Sequence, residues 1–335
     1  MNDDYLWDPS APPDPEVERL ERLLGRLRSV PPVPALPERP VRGSFMRTVV
    51  PLLATAAAII AMIGVAWQTT RARSSWEVAA MSGQPRVETT TVTDSGRIAI
   101  GQTLVTDYSS QARITVATIG EVTVDPNSRV RLVDTRDGHH QLALERGTLR
   151  AVISAPPGQF IVDTPSARAT DLGCSYTLHV DEDGSGLLNV TAGWVALSAN
   201  GRESLVPSGA FCRTDPTRGP GTPWYEEATE EYRRALEDLD YSTDPVRRTA
   251  ALRFVLEQGG NGDAMTLWHL LSRVETADRG AVIDALADQL AMPEGVTREA
   301  IMRLDATALD RWWEALGLGN ATWWRQFRTG VAGKN

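Results

Sequence analysis

Residues 48–67, TVVPLLATAAAIIAMIGVAW, carry no charge, and arginines stand on both sides at Arg47 and Arg71. The hydrocarbon core of a bilayer is about 30 Å thick and takes roughly 20 apolar helical residues to cross. The run therefore predicts a single transmembrane helix, with Pro51 tolerated in its first turn and Trp67 at the interface. Two other readings compete: a buried core helix of a soluble domain, and a secretory signal. A signal occupies the first residues of a chain and ends in a small-residue cleavage site. Here a largely polar segment comes first and Trp67-Gln68-Thr69-Thr70 follows, which favours a retained anchor. Arg39, Arg42 and Arg47 before the run slightly outweigh Arg71 and Arg73 after it, so the N-terminus is expected in the cytoplasm and the bulk of the chain outside.

The cysteines point the same way. Cys174 and Cys212, the chain's two, both follow the run. In an oxidising compartment they can pair, closing a loop worth about 4 kcal/mol on the chain-entropy estimate; two unrelated buried thiols are the alternative. Two cysteines and four histidines lack metal-ligand spacing, so no metal or other cofactor is expected. A net charge of −9 over 335 residues argues against a nucleic-acid partner.

Residues 1–47 hold one helix signal, DPEVERLERLLGRLR at 14–28, and a proline-rich spacer at 31–40. Asp14 caps, Pro15 suits the first helical position, and Glu16 and Glu18 complement the dipole. Val17, Leu20, Leu23, Leu24 and Leu27 form one apolar stripe, preceded by Tyr5 and Trp7 in a polar stretch. So short a helix is marginal alone in water. These residues are candidates for binding a partner protein, with the membrane surface and a second copy as alternatives.

Beyond a linker at 68–85, the period changes to two over 86–214. ARITVATIGEVTVDPNSRVRLVD alternates apolar and polar residues, broken by turns at Asp125-Pro126-Asn127 and Asp137-Gly138. Short strands recur after it, indicating an all-β sandwich, barrel or short solenoid. A second linker at 215–223 leads to helix-period runs over 224–330, opened by Pro223-Trp224 and Asp244-Pro245. Trp312-Trp313 and Trp323-Trp324 read as core closure, or as a binding face for protein or glycan.

Several motifs in this order resemble the FecR domain: Gly101-Gln102-Thr103-Leu104, Val124-Asp125-Pro126-Asn127-Ser128, Leu144-Glu145-Arg146-Gly147-Thr148-Leu149, Phe160-Ile161-Val162-Asp163-Thr164-Pro165, and Ala169-Thr170-Asp171-Leu172-Gly173-Cys174-Ser175-Tyr176. In the last, Cys174 replaces a threonine and Tyr176 a phenylalanine of the family pattern. The resemblance covers roughly residues 90–210. It implies a periplasmic β domain tied by one spanning helix of the bacterial inner membrane to a cytoplasmic segment that binds a sigma factor of the extracytoplasmic-function type. The family's longer N-terminal helical bundle is reduced here to one helix, and its small mixed C-terminal domain is replaced by helices. Iron and an outer-membrane transporter are therefore not carried over.

The fold class expected is thus a multi-domain membrane protein: a single transmembrane helix, an all-β FecR-type domain and an all-α C-terminal domain. No GxSxG, HExxH, P-loop or GxGxxG context occurs, so no enzyme is expected. His139-His140 reads as a solvated hairpin turn, and Asp181-Glu182-Asp183-Gly184 as a hairpin tip, rather than metal sites. The function expected is a membrane signalling regulator, its outer domain meeting an envelope component and its inner helix holding a sigma factor. The alternative is a membrane-tethered envelope binding or assembly protein with no transcriptional role.

Overall fold

Alternation fixes which residues of ARITVATIGEVTV turn inward. Ala112, Ile114, Val116, Val122 and Val124 have no exposed surface, while Arg113, Thr115 and Glu121 face out. A computed structural model describes residues 15–27, 75–258 and 264–318.

The described residues form eighteen strands: β1 (Ser75–Ser82), β2 (Arg86–Val87), β3 (Thr90–Thr91), β4 (Ser95–Ala99), β5 (Thr103–Val105), β6 (Gln111–Val116), β7 (Gly120–Val124), β8 (Arg129–Arg136), β9 (His139–Ile153), β10 (Phe160–Asp163), β11 (Arg168–Asp171), β12 (Ser175–Val180), β13 (Gly186–Ala192), β14 (Trp194–Ala199), β15 (Arg202–Pro207), β16 (Ala210–Asp215), β17 (Gly219–Pro220) and β18 (Trp224–Tyr225). One sheet runs β4-β1-β6-β7-β9-β12-β13-β16, with β17 and β18 along β16. The second runs β3-β2-β5-β8-β9-β10-β11-β14-β15. All pairings are antiparallel except β9 with β10. The inner faces of both sheets feed one core, so of the three all-β forms expected, the sandwich is observed.

Strand β9 belongs to both sheets, and Gly147 is its corner. Residues before it pair with β8, those from it onward with β7 and β12. Its φ is +88°, and a Cβ there would lie 2.5 Å from the Cα of Ser128, so both conformation and contact require glycine.

The structure extends the sandwich past both expected linkers. Strand β1 lies within 68–85, with Trp76 and Val78 in the core, and β17 lies within 215–223. Trp224–Tyr225 pairs with β16 instead of opening a helix.

N-terminal to the sandwich stands α1 (Pro15–Leu24), continued by a 3-10 turn at Gly25–Leu27. The later helices are α2 (Glu230–Tyr241), α3 (Pro245–Gln258), α4 (Ala264–Leu270), α5 (Thr276–Gln289), α6 (Arg298–Met302) and α7 (Ala306–Ala315). Thr229 caps α2 by accepting the Tyr232 N–H, and Asp305 caps α7 by accepting that of Ala308.

The strands and the C-terminal helices fall in one compact unit with a continuous core. This corrects the expected fold class. In place of separate all-β and all-α domains behind a transmembrane helix, the described chain is mostly β-sheet in its middle with helices packed on it. Among the described residues no helix is long and apolar enough to cross a membrane. The span expected at 48–67 lies outside the described residues.

The helices are joined to the sandwich because β15 is an edge strand. Its outward backbone groups would otherwise stand unpaired. The Leu205 N–H donates to His269 Nε2 at 3.0 Å, the Glu203 carbonyl accepts from Arg273 at 3.3 Å, and Pro207 has no N–H to satisfy.

Candidate functional site

The predicted partner-binding helix forms, and its apolar face is exposed. No residue of α1 is buried: Leu20, Leu23, Leu24 and Leu27 are 57–78% exposed, and Val17 is half-buried. At about 100° per residue these five positions share an arc of roughly 120°. Glu18 and Arg22 pair at 3.6 Å on the polar side. Tyr5 and Trp7, proposed with this stripe, lie outside the described residues.

The expected disulfide is absent. Cys174 and Cys212 are both free and buried. Register gives the reason: Cys212 pairs with Leu188, which pairs with Leu178, four residues along β12 from Cys174. Two strand spacings and four residues of rise separate the thiols by roughly 16 Å, where a disulfide needs Cα atoms within about 7 Å. Each thiol instead donates locally, Cys174 to Asp171 Oδ2 at 2.7 Å and Cys212 to the Gly221 carbonyl at 3.2 Å. Burial pushes both thiols upward, so neither is a reactive thiolate.

Where the helices meet β15, a buried ionic network stands that the sequence reading missed. The Arg273 guanidinium donates to Asp240 Oδ1 at 3.0 Å, Thr222 Oγ1 at 3.1 Å and Ser204 Oγ at 2.6 Å. Asp240 also accepts the Thr222 N–H at 2.6 Å and faces Arg202 at 3.6 Å. Asp240 and Arg273 are almost wholly buried, at 2% and 4% side-chain exposure. One signal was present: Asp240 follows Tyr232, Leu236 and Leu239 on the inward side of α2, where an isolated acid demands a partner.

His269 is fixed in one tautomer, Nδ1–H donating to the Met265 carbonyl at 2.8 Å while Nε2 accepts from Leu205. Burial, with Arg273 nearby, lowers its pKa to about 3. The unfolded chain thus takes a proton here that the folded chain refuses, so this contribution to stability is full above pH 6.5 and is lost as pH falls toward 3. Asp171 has the opposite sign. Burial raises its carboxyl to about 6 against its Cys174 and Gly173 hydrogen bonds, so its contribution is full below pH 3.8 and is lost as pH rises through 6. From about pH 8 to pH 5, His269 costs about 2 kcal/mol and Asp171 returns about 1.4 kcal/mol. Asp171→Asn should therefore steepen the acid loss over that window by about 1.4 kcal/mol relative to the parent, in urea titrations at the two pH values. Identical losses in the two proteins would sink this assignment.

The remaining candidates have structural roles. His140 is buried within β9, its ring 5.8 Å from that of Trp76, so the solvated turn expected at His139-His140 is corrected to residues 137–138. Asp181–Gly184 joins β12 to β13 as a hairpin tip. Among the described residues no cluster of His, Cys, Asp or Glu could hold a metal ion. Trp312 and Trp313 are both buried, and Trp313 sits within 5.7 Å of the rings of Trp194, Trp268 and His269. Trp323 and Trp324 lie outside the described residues.

Two crystal structures of a candidate anti-sigma factor from Parabacteroides distasonis ATCC 8503 are similar to this chain at 16% identity and a TM-score of 0.33. The similarity covers 40% of this chain and 63% and 62% of those, so the chain spans less than two thirds of the length of each. No curated protein matches the sequence. The family model described as FecR protein matches residues 102–196, which run from the residue before β5 into β14 and include the β9 corner. This chain carries a FecR domain.

Proposed function

We propose that the chain is a regulator of the FecR type that captures a cytoplasmic sigma factor of the extracytoplasmic-function class through the apolar face of α1. The reading rests chiefly on the stripe of Leu20, Leu23, Leu24 and Leu27, which α1 leaves uncovered. An amphipathic helix with such a face is suited to a hydrophobic groove. The FecR domain supplies the context for the partner. The chain acts by binding rather than by catalysis. A signal received by the FecR domain must then bias two states of the N-terminal segment, since a ligand indifferent to both shifts nothing.

The proposal includes a location at the bacterial inner membrane, with α1 on the cytoplasmic side and the FecR domain in the periplasm. Compartment-specific reporters at the two ends check this; a cytoplasmic signal from both overturns it. The binding test is co-purification of the full chain with the sigma factors of its own genome, followed by titration of the one retained. Leu20→Asp or Leu24→Asp should weaken capture by about 30-fold each, the effect of losing an anchor residue worth about 2 kcal/mol. Capture that both variants leave unchanged sinks the reading.

A further inference from the structure

On the outer face of the second sheet, cross-strand pairing lines up Arg86, Val105, Arg129 and Arg146, one each from β2, β5, β8 and β9. Paired residues on neighbouring strands point to the same face, so three arginines leave the sheet in a row roughly 15 Å long. Arg131, two residues along β8, adds a fourth. Glu145 serves two of them with one carboxylate, at 2.6 Å from Arg129 and 3.7 Å from Arg131. Glu88, close by in sequence to Arg86, gives an oxygen to the Thr103 N–H at 2.7 Å. Arg86 and Arg146 are exposed and have no ion-pair partner among the described residues.

One carboxylate among four guanidiniums leaves the row with surplus positive charge. Arg129 and Arg146 oppose each other at a β-bulge, where Glu145 also meets Arg129 and is shared with Arg131. A chain of net charge −9 has no general basicity to explain the row. We propose that it is a docking surface for an acidic polypeptide segment of a partner protein. The planar guanidinium fork matches carboxylates in pairs. An extended segment places alternate side chains about 7 Å apart on one face, so four or five residues span the row. Val105 and the arginine stems supply an apolar floor. Nucleic acid and anionic bilayers are extended polyanions that the chain's overall negative field repels, whereas a short acidic segment engages the row alone.

The test is fluorescence anisotropy of a labelled alternating Glu-Ala peptide against the full chain at low and at physiological salt. Saturable binding is expected that weakens with salt and falls about 10-fold or more in Arg129→Gln/Arg146→Gln, with an unchanged melting temperature. A Lys-Ala peptide should not bind. If the double variant fails to fold, Arg86→Gln, at an exposed position of β2, should still weaken binding. The proposal is overturned by no binding, by equal binding in the variants, by preference for phosphatidylglycerol vesicles or duplex DNA, or by a salt-sensitive self-association that the same substitutions abolish.

Discussion

Replacing Arg273 by methionine is expected to lower the stability of the full chain by about 3–5 kcal/mol, measured from urea unfolding midpoints at neutral pH. The size follows from what remains behind. Asp240 would be a buried carboxylate still bonded to Thr222 but left with the more distant Arg202 at 3.6 Å as its counter-charge, and the Ser204 hydroxyl and the Glu203 carbonyl would lose the Arg273 donor. Arg202 places the outcome toward the lower end of that range. Lysine should not rescue, because one ammonium cannot reach acceptors that the planar fork spans on two sides. Adding Asp240→Leu removes the stranded charge, so the double variant should be more stable than the sum of the single losses by about 2 kcal/mol. It will not return to the parent value, since the Thr222 N–H loses its acceptor at 2.6 Å. A single-variant loss below about 1 kcal/mol would mean that water reaches this junction and that the network holds little.

Trp313→Ala should cost about as much, 3–5 kcal/mol, by a different route. The side chain is 1% exposed and touches three rings that come from the sandwich and from α4. Truncation leaves a cavity between elements that cannot all close on it, because β15 is held by His269 and Arg273. The expected reading is a melting temperature lower by about 10 °C. Val246→Ala on α3, where the side chain is 75% exposed, should stay within about 0.5 kcal/mol and serves as the control. Equal effects of the two substitutions would refute the placing of Trp313 at the centre of the junction.

Much of the sandwich was legible because a half-buried strand writes its inward face at every second residue. Ile114-Val116 and Val122-Val124 are examples, and the turns between strands carry their own chemistry at Asn127 and Gly184. Strand β1 was hidden because its interior half ends after Trp76 and Val78 and gives way to Ala79-Ala80-Met81, which shows no alternation. Partner choice among strands was not legible at all. Alternation says which face a residue takes but not how many strands separate two residues, and that is why Cys174 and Cys212 looked like a pair. The helix–sandwich junction was invisible for a similar reason: the stripes of α2 and α4 announce burial without naming what covers them. The helix at Pro15–Leu24 was legible from its own spacing and capping signals.

The cover over β15 bears on what can be moved from one protein to another. The family match stops at residue 196, inside β14, short of β15 and the helices that shield it. Cut at that limit, the piece would present half a strand as a raw seam, open to any extended chain that drifts past. The portable body therefore runs past residue 196 through β15 and its helices, and a graft of the matched segment alone would bring the stickiness without the lid.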